Sequence, residues 1–139
     1  MTISKILLID DDEVHHIVTL ASIQLQDSSV EVTHAYNAQE GLIMLEKGLR
    51  PDIILLDLKM PGMNGFEFLE EYIARDLDKF PVVMLSSSYS KNDRDRAFRF
   101  KCVPDYICKP FSTDDLERIS VYTKQHTWNK ADEIIFQTA

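Results

Sequence analysis

The sequence has few cysteines, no long apolar run and no excess of positive charge, and each absence excludes a class of protein. Two cysteines in 139 residues, Cys102 and Cys108, are too few for a disulfide scaffold or a thiolate zinc site. No apolar stretch approaches the roughly 18 residues of a membrane helix, and no signal-peptide pattern opens the chain. Acidic residues outnumber basic ones 23 to 15, which disfavours direct binding to nucleic acid. We expect a soluble, cytoplasmic, single-domain protein.

Apolar residues follow two alternating spacings along the chain, and this predicts five strand–helix pairs. Short apolar or β-branched runs predict strands at residues 5–9, 30–35, 53–56, 82–85 and 106–108. Helical spacing follows each of them. In the first predicted helix, residues 13–26, the apolar residues are Val14, Ile17, Val18, Ala21 and Leu25. Such alternation is typical of an α/β protein with a parallel sheet and helices on both faces.

Polar residues mark two of the predicted helix starts. Asn37 and Ser112 are placed to cap the second and the last helix, and Asp115 resembles the acidic partner of a capping box. Residues 91–101, in a very polar predicted helix, contain five basic and two acidic side chains, a local net charge of +3. This segment is either a docking patch for an acidic partner or a solvated face with internal ion pairs.

Polar residues follow four of the predicted strands at the edge where open α/β sheets bind ligands. The first strand is followed by Asp10–Glu13, the third by Asp57, the fourth by Ser86–Ser88 and the fifth by Lys109–Pro110. Each alone has an ordinary explanation, because acids favour the first turn of a helix and Lys-Pro pairs are common in turns. Their joint placement at one edge of one sheet favours a site.

The carboxylates indicate what this site binds. Asp10, Asp11 and Asp57 would repel one another in a partly dehydrated cleft unless a positive group offset them. A hard divalent cation with oxygen ligands suits them, with Mg²⁺ the best fit and Mn²⁺ an alternative. Such Mg²⁺ sites are usually completed by phosphate oxygens. We therefore expect a phosphoryl group, contacted by Lys109 and a serine hydroxyl.

Four segments, in this order, resemble the receiver domain of two-component response regulators. They are Ile9–Asp11, Asp57–Gly65, Ser86–Ser87 and Tyr106–Phe111. The resemblance implies a flavodoxin-like, doubly wound (βα)5 fold, whose five parallel strands lie in the order 2-1-3-4-5 with helices on both faces. It implies a receiver domain over residues 1–125, which leaves residues 126–139 as a C-terminal extension of unknown role.

The resemblance also implies a role for each residue of the site. Asp57 would be the phosphoacceptor that attacks the phosphohistidine of a histidine kinase or phosphotransfer protein. Asp11 would bind the metal directly and Asp10 partly through water, with Asp57 and the backbone carbonyl of Lys59 completing the set.

The remaining implied roles concern the response to phosphorylation. Ser86 would be the switch hydroxyl, Ser87 would hold a position that needs a small residue, and Lys109 would pair with the phosphoryl group. Tyr106 would turn inward when Ser86 moves, and the peptide bond between Lys109 and Pro110 would be cis. The surface of the fourth helix, fifth strand and fifth helix would then change.

Other positions give weaker expectations. Lys59 and Ser88 lie where the family tunes hydrolysis of the acyl phosphate, and we expect Lys59→Asn to shorten its lifetime. Asn64–Gly65 is expected to form the tight turn that leaves the site, with a positive φ at the glycine. His15 and His16 are adjacent on a helix, so they cannot face the same way, and we expect surface or kinase-contact residues.

We therefore predict a single-domain response regulator that signals through an unidentified protein target and does not turn over a substrate. A homodimer is left open. One alternative is a degenerate receiver that binds partners without phosphorylation. Another is a Mg²⁺-dependent aspartyl-phosphate phosphatase, although such enzymes need an Asp where this chain has Lys59. A nucleotide-binding protein is disfavoured because no Gly-rich loop follows the first strand.

Overall fold

Five strands and five α-helices alternate along the chain in a computed structural model, which describes residues 3–123. The strands are β1 (Lys5–Ile9), β2 (Glu31–Ala35), β3 (Ile53–Leu56), β4 (Val82–Ser86) and β5 (Asp105–Cys108). The helices are α1 (Glu13–Gln26), α2 (Ala38–Glu46), α3 (Gly65–Ala74), α4 (Lys91–Phe98) and α5 (Asp115–Ser120), and a 3₁₀ turn covers Val121–Thr123. The predicted extension at residues 126–139 lies outside the described residues. None of the helices in residues 3–123 is long and apolar enough to cross a bilayer.

The strands form one parallel sheet in the order β2-β1-β3-β4-β5, which confirms the predicted flavodoxin-like fold. All of β3 is buried, because alternate side chains enter two apolar clusters on opposite faces of the sheet. Ile54 and Leu56 pack in one cluster with residues of α2 and α3, while Ile53 and Leu55 pack in the other with residues of α5. From β1 the chain first continues to β2 on one side of the sheet and then to β3 on the other. The carboxyl ends of β1 and β3 therefore border the crevice where such folds bind ligands.

Helix α1 lies on this scaffold with its apolar stripe turned outward. The buried residues of α1 are His16, Thr19, Ser22 and Ile23. The apolar residues that indicated the helix are exposed, from 43% at Val18 to 80% at Leu25. The spacing therefore identified the helix correctly, but its apolar face does not pack against the sheet.

The turn that leaves β3 differs from the expectation at Gly65. Asn64 caps α3, forming a complete capping box with Glu67, and Gly65 is the first residue of the helix. The positive φ lies instead at Gly62, at +76°. Gly65 is needed for close approach, since a Cβ there would lie 2.8 Å from the carbonyl oxygen of Asp57.

The predicted caps of α2 and α5 have different outcomes. Asn37 caps α2, because its side chain accepts a hydrogen bond from the Glu40 amide. At α5 only one half of the predicted box forms, where the Asp115 carboxylate accepts hydrogen bonds from the Ser112 amide and hydroxyl. Helix α5 itself begins at Asp115.

Candidate functional site

Three carboxylates meet beyond the ends of β1 and β3. Asp10 and Asp57 are buried, with 1% and 5% of their surface exposed, and Asp11 is exposed. One oxygen from each lies within 4.8 Å of the others. The predicted acidic cluster therefore exists as a geometric unit, with two shielded carboxylates and one that faces water.

One buried oxygen of this cluster lacks a hydrogen bond. Asp10 Oδ1 accepts from the Asp12 amide, while Oδ2 is buried without a hydrogen bond of ordinary geometry. The Lys109 ammonium lies 2.7 Å from that oxygen, so their attraction is that of an ion pair. An under-coordinated carboxylate oxygen within an all-oxygen donor set fits a hard divalent cation such as Mg²⁺.

Burial and neighbouring charge make Asp57 hard to ionise. Loss of hydration raises the pKa of Asp57 to about 6, and repulsion from Asp10 adds to the effect. The nearby Lys109 ammonium opposes it, with Nζ 3.2 Å from Asp57 Oδ1. A bound cation would oppose it further and favour the carboxylate form that can act as a nucleophile.

Lys109 reaches the carboxylates from the end of β5. Its backbone amide donates to the Ser86 carbonyl at 2.8 Å, which ties the end of β5 to that of β4. The peptide bond between Lys109 and Pro110 is cis, as the resemblance implies. The structure thus brings Lys109 together with Asp10 and Asp57, whereas the side chains of Ser87 and Lys59 are exposed.

Ser86, Ser88 and Tyr106 form one hydrogen-bonded group beside the carboxylates. Ser86 is buried and its hydroxyl oxygen accepts from the Ser88 amide at 3.0 Å. The Tyr106 ring is buried, and its hydroxyl donates to the Ser88 carbonyl at 3.1 Å. The Ser88 hydroxyl donates to Asp93 of α4 at 2.7 Å. The ring of Tyr106 thus already lies inward, and Ser88 joins the strand ends to α4.

Two histidines that sequence reasoning assigned to the surface belong to this region. His15 Nδ1 lies 2.8 Å from Lys109 Nζ and 3.3 Å from Asp10 Oδ2. His16 is 2% exposed, so the surface prediction is wrong for it. Its Nε2 lies 2.8 Å from the Asp10 carbonyl oxygen, and its Nδ1 lies 2.7 Å from Nδ1 of His34. The sequence feature that could have indicated their nearness to the site is their place in the first turn of the helix that follows Asp10 and Asp11.

Comparison with known proteins agrees with this geometry. Residues 6–120 match the response regulator receiver domain. The uncharacterized transcriptional regulatory protein YcbL of Bacillus subtilis is 31% identical over 128 residues, which cover 91% of this chain and 54% of that protein. The transcriptional regulatory protein CiaR of Streptococcus pneumoniae is 32% identical over 122 residues, 87% of this chain and 52% of that protein. The chain thus spans about half the length of these curated relatives.

Solved structures show the same architecture. A two-component response regulator from Cytophaga hutchinsonii superposes with a TM-score of 0.83 at 25% identity, covering 91% of this chain and all of that one. The Vibrio cholerae chemotaxis protein CheY4 superposes with a TM-score of 0.71 at 28% identity, covering 87% and 99%. The match to the receiver domain extends over most of the chain. The chain therefore belongs to the response regulator receiver family of two-component signalling.

Proposed function

We propose that this chain accepts a phosphoryl group on Asp57 from the phosphohistidine of a histidine kinase or phosphotransfer protein. The observation that carries this proposal is the position of the Asp57 carboxylate, buried beside two further aspartates and 3.2 Å from the Lys109 ammonium. A carboxylate in such a place can attack phosphorus while the ammonium offsets charge on the phosphoryl oxygens.

In the proposed step, a carboxylate oxygen of Asp57 forms a bond to phosphorus as the phosphorus–nitrogen bond of the donor breaks. The electron pair of that bond stays on the imidazole nitrogen, which takes a proton, and the product is an acyl phosphate. Asp10, Asp11, Asp57 and the backbone carbonyl of Lys59 would hold Mg²⁺. The cation, when bound, would neutralise charge on the phosphoryl oxygens.

The proposed response begins at Ser86. A phosphoryl group on Asp57 needs a further donor, and the Ser86 hydroxyl is the buried donor at the end of the adjacent strand. Its movement would disturb the bond from the Ser88 amide, and with it the contacts that Ser88 makes to Tyr106 and Asp93. The α4–β5–α5 surface, where Arg94 lies over the Tyr106 ring, would change as a result.

The outward apolar stripe of α1 supports a helical protein partner for this reaction. The stripe begins one turn from the site, and its members are Val14, Ile17, Val18, Ala21 and Leu25. An exposed stripe of this kind fits against another helix.

The expectations of a stand-alone module over residues 1–125, of a cytoplasmic location and of no contact with nucleic acid stay predictions. The phosphoacceptor proposal does not depend on them, because its residues all lie between Asp10 and Lys109.

The test is the mass of the intact chain after incubation with Mg²⁺ and acetyl phosphate. We expect a gain of one phosphoryl group in the wild type and in Asp114→Asn, an exposed control without a side-chain cap bond. Asp57→Asn should gain none. Continuous release of many phosphates per chain would indicate a phosphatase instead, and no adduct from acetyl phosphate or from a phosphorylated kinase would indicate a degenerate receiver.

The proposed tuning role of Lys59 has its own measurement. Its cationic side chain is exposed two residues beyond Asp57, and in this proposal it obstructs the approach of water to the phosphoryl group. We expect the phosphorylated Lys59→Asn variant to lose its phosphoryl group faster than the wild type when the donor is removed. Equal decay of the two would contradict this role, and Lys79→Asn, at an exposed lysine on another loop, is the control.

A further inference from the structure

The Lys109 ammonium has three N–H groups and three acceptors around it. Asp10 Oδ2 lies 2.7 Å from Nζ, Asp57 Oδ1 lies 3.2 Å away, and His15 Nδ1 lies 2.8 Å away. Two of the three acceptors belong to the acidic cluster, and the third comes from α1. The side chain of Lys109 is only 10% exposed, so little room is left for water to replace any of them.

The contact with Lys109 decides which nitrogen of His15 carries hydrogen. An N–H at Nδ1 would point at an ammonium group 2.8 Å away, so Nδ1 must offer its lone pair to Lys109. The ring hydrogen then lies on Nε2, which is 3.6 Å from an oxygen of Asp12. The longer contact from Nδ1 to Asp10 Oδ2, 3.3 Å, is consequently a close approach of two acceptors, tolerated because both face the ammonium.

The position of His15 is fixed by its neighbours in the first turn of α1. Asp12 caps the helix through its side chain, which accepts from the Val14 amide at 2.8 Å. His16 anchors the same turn to the strand through the carbonyl oxygen of Asp10. The imidazole of His15 is therefore held on a short, doubly attached turn, and its contact with Lys109 is set by the backbone on both sides.

We propose that His15 is a positioning residue that holds the Lys109 ammonium beside Asp57 for phosphoryl transfer, an inference that rests on the proposed function. When phosphorus bonds to Asp57, the N–H that pointed at its carboxylate turns to a phosphoryl oxygen. The contact with His15 Nδ1 and the ion pair with Asp10 keep the ammonium in place meanwhile. In a variant without His15, one N–H of Lys109 would lack an acceptor. No residue of α1 would then counter the attraction that draws the ammonium toward Asp10.

The test compares the rate of phosphorylation from acetyl phosphate and Mg²⁺ in His15→Ala and His15→Asn. The Asn side chain carries a carbonyl oxygen at the branch where His carries Nδ1, so it restores the acceptor. We expect His15→Ala to be slowed about tenfold and His15→Asn to stay within about threefold of the wild type. Gln24→Ala, at an exposed position of α1, should be unchanged. Equal rates for wild type and His15→Ala, or equal losses in Ala and Asn, would contradict the proposal.

A second readout does not require phosphorylation. Nitrogen-15 NMR of the His15 ring should show hydrogen on Nε2 and an Nδ1 resonance that shifts when Lys109 is changed to Ala. Hydrogen on Nδ1, or no response to Lys109→Ala, would contradict the contact. A wild-type chain that gains no phosphoryl group would contradict the proposed function itself. A phosphorylated wild type with an equally fast His15→Ala variant would contradict only the role of His15.

Discussion

Burial of the Asp57 carboxylate, the proposed phosphoacceptor, destabilises the fold when that carboxylate is ionised. Its pKa is raised to about 6 by burial and by repulsion from Asp10. Because the folded chain holds this proton more tightly than the unfolded chain, whose Asp has a pKa of about 3.9, ionisation favours unfolding. The resulting penalty is absent below about pH 4, grows as the pH rises, and is complete above about pH 6.

We therefore expect Asp57→Asn to stabilise the metal-free protein. In EDTA at pH 7.5 its free energy of unfolding should exceed that of the wild type by about 1–3 kcal/mol, and the difference should disappear below about pH 4. Urea unfolding followed by circular dichroism over this pH range measures both. A variant less stable than the wild type at pH 7.5 would contradict the assigned burial penalty. Asp114→Asn, the same change at an exposed aspartate, is the control.

Gly65 is the residue whose lack of a side chain the site requires most. A Cβ there would lie 2.8 Å from the Asp57 carbonyl oxygen and 2.9 Å from the Leu58 Cα, and neither backbone atom can easily yield. We expect Gly65→Ala to lower the free energy of unfolding by about 1–3 kcal/mol and to slow phosphorylation of the adjacent Asp57. Gly62→Ala, which has open space but a positive φ, should cost about 1 kcal/mol by backbone strain. The opposite order of stabilities would contradict this explanation.

The residues that sequence reasoning missed share one physical reason. Asp10, Asp57 and Lys109 could be placed together because each directly follows a strand of the same sheet. His15 and His16 lie on a helix, so their direction depends on how α1 rotates over β1 and on partners that are distant along the chain, such as His34. The spacing of residues along one sequence does not determine how α1 is rotated against the sheet.

At the scale of elements, α1 shows what the spacing of apolar residues can predict and what it cannot. The helix was predictable because 3.6-residue spacing and an acidic run at a helix start are local properties. The buried face was not, because three of the four buried residues of α1 are polar and its apolar residues face outward. The same limit applies at the turn before α3. The positive φ was predicted at Gly65, but Asn64 caps the helix and Gly65 is its first residue, so the positive φ lies at Gly62.

Two neighbouring residues of α1 test this orientation. Ile23 is fully buried in the cluster on the α5 face of the sheet, whereas Leu25 is 80% exposed. We expect Ile23→Ala to cost about 2–5 kcal/mol of stability and Leu25→Ala to change it by less than about 0.5 kcal/mol. Urea unfolding of the two variants is the measurement. Comparable losses in both would show that the outward stripe is packed in solution.

The connection between β4 and α4 gives a second prediction at this scale. The Ser88 hydroxyl donates to Asp93 in the first turn of α4, and it also accepts from the Ser90 amide. We expect Ser88→Ala to cost about 1 kcal/mol and to speed amide hydrogen exchange in the first turn of α4. Ser87→Ala, at an exposed neighbour, should leave that exchange as it is in the wild type. Unchanged exchange in Ser88→Ala would contradict the proposed link from the site to α4.

At the scale of the whole molecule, strand order explains why residues far apart in sequence form one site. β1 and β3 are neighbours in the sheet, and β4 and β5 follow in order. Because the strands are parallel, the acids, the hydroxyl and the lysine that follow them lie at one edge of the sheet. The order itself came from the family resemblance, since alternation alone predicts a parallel sheet without fixing which strands are adjacent.

The most direct test of the account is to locate the phosphoryl group chemically. Borohydride reduces an acyl phosphate of aspartate to homoserine, so treatment of the phosphorylated chain, followed by peptide mass spectrometry, identifies the modified residue. The account predicts homoserine at position 57, and at no other aspartate, after incubation with Mg²⁺ and acetyl phosphate. Homoserine at Asp10 or Asp11, or none in a chain that has gained phosphate, would contradict it.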